Sequence, residues 1–375
     1  MFFKKFATFA LISFSLLVFA CESAEENVTE IVAPEDNTTE IAVEKEIVEK
    51  INVLATTPMI AEYVRQVGND NIDLNILMPY SADPHSFEAS PQDAKKIADA
   101  DLVFYVGLKY ESANLVELLE NSVSSEDILI EIGPSIDPIE FSEEGHEGHD
   151  DHEGHDGHEG HDHGIYDPHF WFDPVRVSMA VEVIKDELIK NDSANESSYA
   201  SAAASFVSEL EALDQNVVAM FETIPVENRK IITTHEALGY LEAKYEIEVL
   251  TTIIPSLNSE DGITPKSLRN AIEVIEKNKI EVMFLEAESS SQYSEVIEQE
   301  TGIALVSGLW VETLQENQSY VEWLENNVTI IVNNLPTEVH DDHDHAHDHD
   351  HDDHDEDDDD DDDDHDGHDH GKKDK

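Results

Sequence analysis

"VRVSMAVEVIKDELIKNDSANESSYASAAASFVSELEALDQN" fills residues 175–216. Its apolar residues recur at helical spacing for some forty residues without a glycine or proline, which is long for a globular helix. One reading is a single rigid rod over 174–216. The other is a break near Asn191–Asn195. On both sides of this stretch, short apolar strands alternate with amphipathic helices. Before it come the strand "INVLATT", the helix "PMIAEYVRQVG", the strand "NIDLNILMP", the helix "PQDAKKIADA", the strand "DLVFYVG", the helix "ANLVELLENS" and the strand "DILIEI". Ser90 is placed to cap the second of these helices, with Pro91 at its first position. After the long stretch, "RKIITTH", "EIEVLTTII", "IEVMFLE" and "IALVSGL" read as strands, separated and followed by helices up to Pro336. Such alternation predicts mainly parallel sheets with helices on both faces. The expected fold class is α/β, with two doubly wound lobes of similar size joined by one long bridging helix.

The rest of the chain does not read as folded domain. "MFFKKFATFALISFSLLVFAC" has a basic start and an apolar run that ends at Cys21, the single cysteine. The run is short for a membrane span and has the layout of a secretory signal. A cleavage site that abuts a cysteine resembles a bacterial lipoprotein signal, in which Cys21 would carry the lipid. Ordinary cleavage is the alternative. Residues 22–48 are acidic and poor in aromatics and read as a disordered tether. The expected domains are therefore the signal at 1–21, the tether at 22–48, an N-terminal lobe at 49–173, the bridge at 174–216, a C-terminal lobe at 217–338 and a disordered tail at 339–375. The chain carries 21 Lys+Arg against 86 Asp+Glu. That balance disfavours nucleic acid and anionic membrane surfaces and favours cations.

Twenty histidines divide into three groups. Seven lie in a ribbon at 142–164, namely His146, His149, His152, His155, His158, His161 and His163. Ten lie in the tail, among them His343, His345, His347, His349 and His351. Only His85, His169 and His235 remain in the lobes. His85 and His235 fall at or beyond the carboxyl ends of predicted strands, where open α/β sheets bind ligands. His169 lies in the loop that feeds the long helical stretch. Three neutral imidazoles make a good first-row metal site, and a tetrahedral zinc wants a fourth donor.

The strings "DPHSFE", "DPHFWFDP" and "TTHEALGYLEAKY" resemble the ligand motifs of the zinc and manganese substrate-binding proteins of ABC transporters (ZnuA/TroA type). The resemblance covers about Ile51 to Leu335. It implies two lobes bridged by a rigid helix, with the metal between them and His85, His169 and His235 as imidazole ligands. In many members an Asp follows the last strand. Here "LWVETL" puts Glu312 in that place, with Glu286 and Glu288 as alternatives. A carboxylate directly before the first histidine is absent, because Pro84 stands there.

Imidazole-rich segments favour zinc over the harder manganese ion. The ribbon and tail are thus expected to gather Zn2+ as auxiliary weak sites and pass it to the cleft. The implied protein is a non-enzymatic monomer held at the membrane by its lipid, with zinc as cargo and a membrane permease as partner. Rival readings are a manganese or iron carrier of the same fold, and a zinc-buffering surface protein without a transporter. A zinc hydrolase is a third, although no HExxH occurs and Phe170 and Trp171 look like lid packing. Ligand histidines must lose their protons, so binding is expected to weaken as pH falls through about 6.5.

Overall fold

The structure, a computed structural model, describes residues 50–80, 82–141, 166–288 and 293–338. Cys21 and the signal, the tether, the ribbon histidines and the tail histidines lie outside the described residues.

Four strands, β1 (Ile51–Ala55), β2 (Ile72–Ile76), β3 (Leu102–Tyr105) and β4 (Leu129–Glu131), form a parallel sheet in the order β2-β1-β3-β4. Neighbouring residues on one strand serve different cores. Val53 and Ala55 join one apolar cluster and Leu54 another; Leu102 and Phe104 separate from Val103 in the same way. Helix α1 (Pro58–Gly68) covers the first face with Met59, Ile60, Val64 and Val67. Helices α2 (Pro91–Ala98) and α3 (Ala113–Ser122) cover the second with Ile97, Leu115 and Leu119. Burial on both faces is what makes a parallel sheet stable, and it explains the near-continuous apolar strands. Ser90 caps α2 in a capping box with Asp93, and Pro91 opens the helix.

The forty-residue helical run is two helices, α4 (Pro174–Asn191) and α5 (Glu196–Phe221), parted by one 3-10 turn at Ser193–Asn195. Asp192 leaves helical geometry at φ −140, ψ 69. Its Oδ2 accepts hydrogen bonds from Asn195 Nδ2 (2.7 Å) and the Tyr199 hydroxyl (2.6 Å). Side chains that bond locally offer the backbone an alternative to helix. Of the two readings of residues 174–216, the break near Asn191–Asn195 is the one present, and α5 is the helix that reaches both lobes. At 26 residues α5 spans about 39 Å. Asn71 of the first lobe bonds Ser198 near its start, and Asn216 near its end bonds Glu325 of the last helix. Helix α4 packs beside it through Val177, Val181 and Ile184.

In the second lobe, β5 (Lys230–His235) pairs with β6 (Glu248–Ile254), and β7 (Val282–Glu286) with β8 (Ala304–Leu309), both in parallel. These four parallel strands form two hydrogen-bonded pairs, with β5 alongside β7. At that junction side chains replace ladder bonds. Glu286 Oε1 accepts the His235 N–H at 2.9 Å, and Thr234 Oγ1 accepts the Glu286 N–H at 3.4 Å. Helices α7 (Pro265–Asn278) and α8 (Ser294–Thr301) cover one side through Ala271, Ile275 and Ile297. Helices α6 (Gly239–Tyr245) and α9 (Tyr320–Asn334) close the other. The largest apolar cluster runs without interruption from Val53 through α5 to Phe284 and Trp323. Both lobes thus share one core.

Candidate metal centre

Each histidine is placed by backbone anchoring at the end of an element. His85 sits in the loop between β2 and α2, where Asp83 Oδ1 accepts its backbone N–H at 2.9 Å. His169 opens a 3-10 turn, Phe170–Phe172, that leads into α4. Asp167 Oδ1 accepts its backbone N–H at 2.9 Å and lies 2.8 Å from its Nδ1. His235 ends β5, and Glu286 binds both its N–H (2.9 Å) and its Nδ1 (2.8 Å). Glu312 follows β8 in a segment held by Glu288, whose carboxylate accepts the N–H groups of Val311, Glu312 and Thr313 at 3.2–3.4 Å.

These four side chains converge. Glu312 Oε1 lies 3.4 Å from His85 Nε2, 3.4 Å from His169 Nε2 and 2.8 Å from His235 Nε2. The four atoms that could hold a metal lie within 4.8 Å of one another. His169 and His235 are fully buried, Glu312 is 2 % exposed and His85 8 %. All three Nε2 atoms and Glu312 Oε1 are buried without a hydrogen-bond partner. One such orphan is costly, and four aimed at one point form a donor set that could hold a shared cation. Carboxylates on Nδ1 of His169 and His235 keep the proton on that nitrogen and turn the Nε2 lone pairs inward.

The electrostatics match. Burial alone would lower His169, but the Glu312 and Asp167 carboxylates lift it to about 9. Burial is likewise outweighed at His235, which Glu286 and Glu312 raise well above its ordinary value. Burial would raise Glu312, yet the imidazoles of His169 and His85 hold it well below the usual carboxylate range. Glu288 rises to about 8 through burial and the nearby Glu312 charge.

Of the three glutamates weighed from sequence, Glu312 lies in the cluster, Glu286 orients His235 and Glu288 fixes the Glu312 segment. Phe170 and Trp171 are not lid residues. Both are fully buried, and Trp171 Nε1 donates to Val311 O at 2.7 Å, which ties the two lobes beneath the site. Tyr110 escaped the sequence reading. It is 1 % exposed, and its hydroxyl donates to Glu312 Oε2 at 2.9 Å. A lone tyrosine in a β-to-α loop carries no pattern that would mark it.

Residues 53–334 match the family model described as zinc-uptake complex component A, periplasmic. The chain is 25% identical over 294 residues to the metal ABC transporter substrate-binding lipoprotein ScbA of Streptococcus cristatus, covering 76% of this chain and 89% of that protein. It is 24% identical over 295 residues to the manganese ABC transporter substrate-binding lipoprotein PsaA of Streptococcus anginosus, covering 76% and 90%. Among solved structures, the periplasmic zinc-binding protein TroA of Treponema pallidum superposes with a TM-score of 0.67 at 20% identity, over 76% of this chain and 99% of that one. The Fe(III)-bound YtgA of Chlamydia trachomatis gives 0.65 at 24% identity, over 77% and 100%. The α/β fold is thus shared with these proteins. The chain belongs to the zinc-uptake complex component A family, whose members are not enzymes but the metal-binding, substrate-capturing components of ABC transporters.

Proposed function

We propose that this chain is the zinc-specific member of its transporter, with His85, His169, His235 and Glu312 as the ligands of the carried ion. The observation that supports this most is the donor set, three imidazole nitrogens and one carboxylate oxygen, all buried and unpartnered. Zinc favours four such donors, whereas manganese favours a shell richer in oxygen. The ion would crosslink the lobes, since His85 and His169 come from the first half of the chain and His235 and Glu312 from the second. The ribbon and the tail would raise the local Zn2+ concentration through weak, exchanging sites. Cys21 would carry the lipid that keeps the protein at the membrane beside its permease, acting as a monomer. The lipoprotein names of the relatives support that anchor.

A second reading is a manganese or iron carrier, favoured by the manganese names of several relatives and by the bound manganese or iron of structural neighbours. Competition against a chromophoric chelator separates the two. It would use the soluble form starting after Cys21 and a version lacking residues 142–164 and 339–375. One tight zinc site retained after trimming, with manganese binding much weaker, supports the proposal. Loss of tight zinc binding on trimming, or a preference for manganese, refutes it.

A further inference from the structure

Tyr110 is reached through unusual backbone. Three residues in a row, Gly107 (φ 79), Leu108 (φ 53) and Lys109 (φ 68), are left-handed. A Cβ on Gly107 would run into the Glu131 side chain. Leucine and lysine adopt this region only when their surroundings enforce it, and such enforced turns gather at functional sites. Two carboxylates do the enforcing. Glu111, 2 % exposed, accepts the N–H groups of Val106 (2.8 Å) and Gly107 (2.9 Å) and the Thr56 hydroxyl (2.7 Å). Glu131 Oε1 accepts the Leu108 N–H at 3.2 Å. The turn delivers the Tyr110 ring edge-on to His85, with centroids 5.0 Å apart, and to Trp171 at 5.1 Å. Its hydroxyl donates to Glu312 Oε2 at 2.9 Å and lies 3.2 Å from Glu312 O.

The two oxygens of Glu312 therefore have different duties. Oε1 faces the three Nε2 atoms, and Oε2 is engaged by Tyr110. We infer that Tyr110 is a specificity-determining residue, which keeps Glu312 a one-oxygen ligand and so closes the site at four donors. The inference rests on reading the cluster as the carried-metal site. A carboxylate freed from Tyr110 could chelate through both oxygens. The coordination number would then rise, and the site would move from what zinc prefers toward what manganese prefers.

Cobalt(II) is the probe, because its visible absorption is strong with four ligands and weak with five or six. The soluble chain and its Tyr110→Phe variant would be titrated with cobalt, and then with zinc and manganese in competition. The expected result for Tyr110→Phe is a weakened cobalt band and a zinc-over-manganese preference reduced roughly tenfold, a size that one charge-assisted hydrogen bond supports. In a Glu312→Gln background the amide binds through one oxygen regardless. There, Tyr110→Phe should leave the cobalt band alone, and an equal change would mean that Tyr110 acts through packing, against the inference. Should Tyr110→Phe not fold, Glu312→Asp withdraws the carboxylate from the same hydroxyl and carries the same expectation. A wild-type chain without a tight site overturns the metal reading and this inference with it. A normal wild type with an unaltered Tyr110→Phe variant overturns the inference alone.

Discussion

Asp-Pro-His occurs at 83–85 and again at 167–169. In both copies the aspartate Oδ1 accepts the histidine N–H two residues on, at 2.9 Å, so the local turn is the same. The aspartates then diverge. Asp167 also binds the His169 ring at Nδ1, and the ring is fully buried. Asp83 instead accepts the Ser259 hydroxyl from the second lobe through Oδ2 at 3.0 Å, and His85 keeps 8 % of its surface exposed. One aspartate orients the ring beside it, and the other joins loops of the two lobes. The contrast sets His169 and His235, each with a carboxylate at its Nδ1, apart from His85, whose neighbouring aspartate is engaged elsewhere.

The comparison can be broken in several ways. The largest effect is expected from His169→Ala or His235→Ala. Each removes one of the two carboxylate-oriented imidazoles and should weaken zinc binding by roughly a thousandfold or more. His85→Ala should cost less and show mainly as faster zinc release in stopped-flow chelation. Equal losses at all three positions would erase the distinction between the carboxylate-oriented rings and His85. Next comes Asp167→Asn, which disturbs the Nδ1 partner of His169 and should weaken zinc roughly tenfold to a hundredfold. Asp83→Asn, tested by the same chelator competition, should fall short of that.

Proton competition sharpens the picture further. His169 is lifted to about 9 by Glu312 and Asp167 against the effect of burial, so near neutral pH the metal-free site holds a proton that zinc must displace. Zinc affinity should therefore climb as pH rises toward about 9, not only through the usual imidazole range near 6.5. The same shift works the other way on the metal-free fold. Its stabilising contribution is complete below about 6.5 and is lost as pH rises through about 9. Calorimetric melts and zinc titrations between about pH 6 and about pH 9 check both signs. A smaller effect is expected at Gly239, where an added Cβ would come within 2.6 Å of Asp167 Oδ2. Gly239→Ala should lower zinc affinity a few-fold, by roughly the cost of displacing one hydrogen bond, without a comparable loss in melting temperature. Smallest of all, Ser259→Ala should change zinc release by about twofold, since it removes one exposed-side hydroxyl from Asp83.

Much of this molecule was legible from residue order. Period-two and period-3.6 apolar patterns fix which segments are strands and helices, because burial on a known face leaves a mark in every second, third or fourth residue. That logic placed β1 through β8 in "INVLATT" to "IALVSGL", and it singled out His85, His169 and His235 at the rims. The break at Asp192 was one of two readings of its segment, because a polar side chain that bonds neighbouring side chains looks in sequence like any solvated face. Interactions between distant segments leave no periodic trace at all. Glu312 was one of three candidate glutamates in the sequence. It meets the imidazoles because β8 pairs with β7, which runs alongside β5, while Glu286 and Glu288 are drawn into hydrogen bonds of their own. Tyr110 reaches Glu312 over a separation of 202 residues, through a left-handed turn that no composition announces. Local pattern therefore determined the elements and the imidazoles. Only tertiary packing decided which carboxylate meets the imidazoles and which hydroxyl bonds it, since those contacts depend on where two lobes sharing one core bring their loops together.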